Sequence, residues 1–207
     1  MKQAHGMGLD GVIVKTVALF FICAVIGYIY FNIEYSAQPK VYALPSADSG
    51  QFFASDDVAS AQVYYFNGSE VKPCILSKDA GIWRCSDYDW NFVAATSRGM
   101  DGVLKKCVWA HPITNKTLRI IFTGVQTGSR IAGFFGLDDS APIENPGAVS
   151  FSVIIDGTSA YRGSAVTPGV HEFDIPTSSG KKDIEFSIST DNDKRRHFCF
   201  DAWSVNA

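Results

Sequence analysis

A chain of 207 residues with 46% hydrophobic and 13% aromatic side chains carries enough apolar material to bury a core, which excludes an extended disordered chain. Its net charge of -3, from 18 basic and 21 acidic residues, excludes the concentrated basic surface that nucleic acid requires. The length leaves room for one membrane span and one domain of about 160 residues.

Residues 1–10 form a short segment ahead of an apolar run. Thr16–Phe31 (TVALFFICAVIGYIYF) is sixteen residues without a charge, and extension back to Gly11, tolerating Lys15, gives 21. At about 1.5 Å per residue this crosses the ~30 Å hydrocarbon core, so a transmembrane helix is expected over 11–35. Lys15 can snorkel to the headgroups at one end, and Tyr28, Tyr30 and Tyr35 suit the interface at the other. A cleaved signal peptide has a shorter apolar region, about 7–15 residues, followed by a small-x-small site. Tyr35 spoils the nearest candidate for such a site, so the span reads as an uncleaved anchor. Lys2 and Lys15 precede the span and Lys40 follows it, which places residues 1–10 in the cytoplasm and everything after the span outside it. A bacterial inner membrane facing the periplasm fits best, with an ER-type lumen as the alternative. Cys23 and Gly27 give the helix small positions at which a second span could pack.

Residues 36–60 hold two prolines and small polar residues without periodicity, and read as a stalk. The domain then runs from 61 to 207 and contains four cysteines: Cys74, Cys85, Cys107 and Cys199. In an oxidising compartment they can form two disulfides in three connectivities. Cys74 with Cys85 would close a short loop, and Cys107 with Cys199 would tie the middle of the domain to its end. There is no CxxC pair to suggest zinc.

Short β-prone runs alternate with turns through this domain. Ala61–Phe66 stops at Asn67-Gly68, and Asp89–Ala95 and Cys107–Ala110 follow as weaker candidates. Leu118–Val125, Arg130–Leu137, Val149–Ile155, Val170–Ile175, Asp183–Ser189 and Phe198–Val205 all read as extended. Phe151, Val153 and Ile155 alternate with Ser150 and Ser152, and Ile184, Phe186 and Ile188 with Glu185, Ser187 and Ser189. That period of two is how half-buried strands of a two-layer antiparallel sheet read. The expected fold is an all-β jelly-roll sandwich preceded by one transmembrane helix.

From about Gly99 onward the chain resembles the galactose-binding-like jelly rolls, and within them the NPCBM group of carbohydrate-binding modules. The resemblance rests on Gly99–Pro112, on Leu118–Asp139 with its FFGLDD, on Val149–Gly157 (VSFSVIIDG) and on the terminal Phe200–Trp203 (FDAW). It implies the fold and a sugar ligand, whereas Cys107 and Cys199 depart from the pattern. Such modules are usually attached to glycoside hydrolases, and no catalytic domain accompanies this one.

His111, His171 and His197 lack metal-ligand spacing, and there is no GxSxG nucleophile elbow. Asp138-Asp139 and the pair Asp191/Asp193 read as turn carboxylates rather than as a glycosidase pair. Asp191-Asn192-Asp193 opens like a calcium loop, but Lys194-Arg195-Arg196 stands where glycine and further oxygen ligands belong. No enzyme activity, cofactor or metal is therefore expected.

A sugar needs an aromatic face to stack on and planar polar groups for its hydroxyls. Trp83, Arg84, Tyr88 and Trp90, in IWRCSDYDW, offer both. Trp109 and Trp203 lie in strands and read as core. The one dense basic run, Lys194–His197, offers Arg195 and Arg196 to an acidic glycan, with His111 and Arg130 in support. Asn67-Gly68-Ser69 and Asn115-Lys116-Thr117 are glycosylation sequons. The expected function is a membrane-anchored extracytoplasmic carbohydrate-binding module, serving as a small subunit beside a larger membrane protein in envelope glycan biosynthesis or export. The alternative is a structural subunit that docks another membrane protein and binds no sugar.

Overall fold

The computed structural model describes residues 52–144 and 147–205. The expected cytoplasmic segment and transmembrane span, 1–35, lie outside these residues. The described chain opens with a one-turn helix α1 (Ala54–Asp57) and a 3-10 turn (Val58–Ser60), then runs through thirteen strands. These are β1 (Gln62–Asn67), β2 (Glu70–Pro73), β3 (Ile75–Ser77), β4 (Ile82–Arg84), β5 (Phe92–Met100), β6 (Val103–Ala110) and β7 (Thr117–Thr127). They continue as β8 (Arg130–Leu137), β9 (Val149–Ile155), β10 (Thr158–Ala165), β11 (Gly169–Pro176), β12 (Gly180–Thr190) and β13 (Phe198–Val205).

The strands form two antiparallel sheets, one ordered β10-β9-β12-β7-β1-β2 and the other β11-β8-β13-β6-β5-β4-β3. From β6 to β13 the chain changes sheet at every connection except β9–β10, the wiring of a jelly-roll sandwich. The expected fold of the domain is thus the observed one. The alternation in β9 and β12 sends Phe151, Val153, Ile184, Phe186 and Ile188 into the space between the sheets. There Phe151 stacks on Phe135 at 4.7 Å, and Phe186 meets Phe200 at 4.7 Å. The β9–β10 turn needs two residues with positive φ, and Asp156 (49°) and Gly157 (77°) supply them.

The seven-stranded sheet buries side chains on both faces, the outer one in a small cluster. Phe135, Phe198 and Phe200 point into the main core, so their strand neighbours Phe134 and Cys199 point outward. Those two join Met100 and Cys107 in a second buried cluster. Cys107 and Cys199 are bonded across that outer face, with Cα atoms 5.8 Å apart, and Cys74 and Cys85 are bonded at 4.3 Å. Of the three connectivities open to the sequence, this is the one realised.

Phe52–Ser60, the last part of the expected stalk, is packed into the sandwich. β13 stays paired to β6 only at Cys199–Trp109 and Phe200–Val108. Beyond that point Phe52 and Phe53 take the place of β6: Ser204 N donates to Phe52 O, and Phe53 bridges Trp203. Asp201 lies in the resulting gap and accepts from Ser55 N (2.9 Å) and Ser55 Oγ (2.8 Å).

Tight packing makes Gly136, in the FFGL of β8, intolerant of a side chain. A Cβ there would lie 1.9 Å from the backbone oxygen of Gly169 on the neighbouring β11. Gly136→Ala is expected to lower unfolding free energy by about 2–4 kcal/mol, because backbone must move to make room. Denaturant titration checks this, and a change below about 0.5 kcal/mol would show that β11 shifts freely.

Candidate functional site

Four strand ends meet at one end of the seven-stranded sheet. Phe198 at the start of β13 is opposite Leu137 at the end of β8, and Val93 near the start of β5 is opposite Ala110 at the end of β6. The residues just beyond these ends therefore converge: Tyr88 and Trp90 before β5, His111 after β6, Asp138 and Ser140 after β8, and His197 before β13.

Tyr88 and Trp90 stack with centroids 5.2 Å apart and planes 11° from parallel. They are 61% and 41% exposed, which makes a bare aromatic plate on the surface. Its underside is built up in layers. His111 lies 4.6 Å from Trp90, buried Trp109 lies 5.9 Å from His111, and the Arg98 guanidinium sits 4.1 Å from the centre of the Trp109 ring. The Trp109 indole N–H is directed at the Trp90 carbonyl at 3.5 Å. Buried Asn91 donates to Tyr65 Oη and to the His111 carbonyl, which Tyr65 also contacts, so the backbone under the plate is tied to β1. Burial holds the Tyr65 phenol well above its ordinary pKa, and it serves here as a hydrogen-bonding group.

His197 faces the same cluster, 5.4 Å from Trp109 and 5.9 Å from His111. Its Nδ1 is 2.8 Å from Ser140 Oγ and 3.4 Å from Asp138 Oδ1, while Ser140 Oγ donates to Asp138 Oδ1 at 2.7 Å. Burial of the Asp138 carboxyl works to raise its pKa, but bonds from His197 and Ser140 outweigh it and leave the group below the usual carboxylate range. Burial lowers the pKa of His111, outweighing the bond to the Pro112 carbonyl. Serine, histidine and aspartate together suggest a relay, but Ser140 and Asp138 share the same imidazole nitrogen. The ring therefore cannot take a proton from Ser140 on one nitrogen while Asp138 holds the opposite one, as a nucleophile triad requires. The arrangement can stack an apolar face and offer hydrogen bonds around it.

Three residues singled out from sequence, Tyr88, Trp90 and His111, come together here. Arg84 stands beside them, half-exposed, with its guanidinium 3.9 Å from Asp89. Trp83 is turned to the core on β4, its indole donating to Val58 O at 2.9 Å. Arg130 lies at the far end of β8 and holds Asp174 through two guanidinium nitrogens, Nη2 and Nε, the latter at 2.6 Å. Arg195 is exposed on the loop before β13, with φ 54°. Arg196 is fully buried and donates to Val166 O (2.8 Å) and Pro142 O (3.0 Å), stitching the β8–β9 and β10–β11 loops together. Arg98, Trp109, Asp138, Ser140 and His197 join the site without having been singled out for it. Trp109 reads as core because it is buried, and nothing local marks Arg98. His197 carried a signal, as the last residue of the basic run Lys194–His197, whose arginines divert attention from it.

No protein-family model matches the chain, and no curated protein matches it in sequence. Among solved structures it is similar to tandem family-51 carbohydrate-binding modules of the family 98 glycoside hydrolase from Streptococcus pneumoniae SP3-BS71. That match has 13% identity, covers 82% of this chain and 52% of that one, and has a TM-score of 0.46. A family-51 module from Clostridium perfringens GH95, in complex with methyl-galactose, matches at 16% identity over 54% of this chain and 81% of that one, TM-score 0.40. The second family-51 module and INT domains of Clostridium perfringens ZmpB, with GlcNAc, match at 11% identity and TM-score 0.41. That similarity covers 54% of this chain and about a quarter, 25%, of the ZmpB chain. Likenesses this distant assign neither ligand nor activity here.

Proposed function

We propose that this chain is a membrane-anchored, extracytoplasmic carbohydrate-binding domain without catalytic activity of its own, acting beside a larger membrane protein in envelope glycan assembly or export. The observation that carries the sugar-binding reading is the exposed Tyr88–Trp90 plate, backed by His111 and flanked by polar groups. Two large aromatic rings left exposed, on a domain whose other described aromatics are buried or partly buried, call for a ligand with an apolar face and a polar rim. Anchoring is supported by the 11–35 pattern, and the extracytoplasmic side by the lysine placement and the two disulfides.

The test uses the full chain in lipid nanodiscs, since glycoside detergents would compete for the plate. A glycan array followed by calorimetry on the retained sugars is expected to show binding. Trp90→Ala should weaken that binding about tenfold or more, with an unchanged melting temperature because the ring is half-exposed. Absence of any retained glycan, or full affinity in Trp90→Ala, would remove the proposal.

The docking alternative has one observation of its own. Val71 and Ile75 are 51% and 76% exposed on β2 and β3, the adjoining edges of the two sheets. If that edge holds a partner, Ile75→Ser releases a co-purifying membrane protein while Trp90→Ala leaves it bound.

A further inference from the structure

Hydrogen-bond roles in the site can be assigned from the partners alone. A backbone carbonyl only accepts, so His111 Nδ1, 2.9 Å from Pro112 O, carries the proton. The Asp138 carboxylate likewise only accepts, so Ser140 spends its hydroxyl proton on Asp138 and can offer His197 only a lone pair. His197 Nδ1 is therefore the donor to Ser140. In its neutral form each ring carries its proton on Nδ1 and leaves Nε2 as an acceptor. Neither Nε2 receives a hydrogen bond from the described residues.

Two of the carboxylates around these rings face a guanidinium, and a third, Asp193, accepts from Thr114 N. Arg98 lies 3.9 Å from Asp138, and Arg84 is 3.9 Å from Asp89. Arg196, which the sequence offered to an acidic glycan, is committed to two carbonyls inside the fold. The site thus holds two acceptor nitrogens on rings 5.9 Å apart, His197 partly exposed and His111, 5% exposed, at the base of the aromatic plate.

We propose that His111 and His197 are the specificity-determining residues of the site, reading two hydroxyl donors of a neutral sugar ring stacked on Trp90 and discriminating against sugar acids. The inference rests on the carbohydrate-binding reading above. A hydroxyl can donate to an imidazole lone pair, whereas a carboxylate brings acceptor against acceptor and leaves both sides unsatisfied. Ser140 and Asp138 act as positioning residues, fixing the His197 ring and its tautomer.

Two measurements on the full chain in nanodiscs test it. Long-range proton–nitrogen correlation on histidine-labelled protein, recorded at a pH where the rings are neutral and assigned with His111→Gln and His197→Gln, is expected to show a protonated Nδ1 and an unprotonated Nε2 in both rings. A proton on either Nε2 overturns the inference without any sugar present. Calorimetry is then run with methyl hexosides and the corresponding methyl hexuronides. Hexosides should bind at least about tenfold more tightly than their uronides, and His197→Phe, which keeps a ring and removes the acceptor, should lose about tenfold. Equal affinity in His197→Phe, or a uronide bound more tightly and weakened by Arg195→Ala, sinks the imidazole reading and leaves sugar binding standing. Failure of every sugar to bind the unmutated chain overturns both.

Discussion

Replacing Cys107 and Cys199 together by alanine is expected to lower the unfolding free energy of the domain by about 4–5 kcal/mol. The bond joins residues 92 apart in sequence, and on the chain-entropy model the constraint placed on the unfolded chain grows with the logarithm of that separation. The same arithmetic for Cys74–Cys85, 11 residues apart, gives about 3 kcal/mol. A second consequence separates this bond from a generic staple. Cys199 faces Trp109 across the β13–β6 pair, one of two positions where those strands still meet. Loss of the bond should therefore loosen Trp109, and with it the His197 and Arg98 contacts under the plate. Denaturant titration of the double variant and of the reduced protein measures the stability term. A loss smaller than about 1 kcal/mol would mean that the outer-face cluster holds without the bond.

The second large effect belongs to Asp201, which is fully buried between β13 and the segment ahead of β1. Burial pushes its carboxyl up to about 6 from an ordinary value of 3.8, and the bonds from Ser55 and Ala202 offset only part of that. The folded chain therefore holds this proton more tightly than the unfolded chain does. Its contribution to stability is complete below about pH 4 and is lost as pH rises through 6, a span worth about 3 kcal/mol. Asp201→Asn keeps an acceptor for the Ser55 and Ala202 N–H groups and removes the ionisation. Melting temperature against pH should show the variant more stable than the parent at pH 7.5, the gap closing toward pH 4. A variant less stable at pH 7.5 would mean that the ionised carboxylate holds the Phe52–Ser60 segment in place.

Asp201 also illustrates what the sequence could and could not disclose. Its place in the FDAW ending was visible as a motif, but its partner, Ser55, is 146 residues away. The fold was legible wherever one face of a strand is buried. β8, β9 and β13 have the bounds expected from their apolar pattern, since alternation is dictated by the core. β10 (TSAYRGSA) escaped because it is an edge strand with little to bury; β2 and β3 are short edge strands, and β4, next to β3, has only three residues. The candidate site followed the same division. Tyr88 and Trp90 stand two residues apart in one loop and could be paired by eye. His197, Ser140 and Asp138 are brought to them by β8 and β13, and Arg98 by β5, so only the sheet order joins them. Arg196 was the opposite case, a residue whose charge pointed to solvent and whose two carbonyl partners lie in loops distant in sequence.

The chain carries its own reporters for where a sugar sits, because its four tryptophans occupy distinct surroundings. Trp90 forms the plate and Trp109 lies beneath it, whereas Trp83 donates to Val58 O and Trp203 packs with Phe134 on the outer face. Indole proton–nitrogen resonances followed during titration with a neutral methyl hexoside measure where the sugar sits. Saturable shifts are expected at Trp90 and smaller ones at Trp109, with Trp83 and Trp203 unmoved. Shifts confined to Trp83 or Trp203, or no shift at Trp90 while sugar is bound, would contradict binding at the plate.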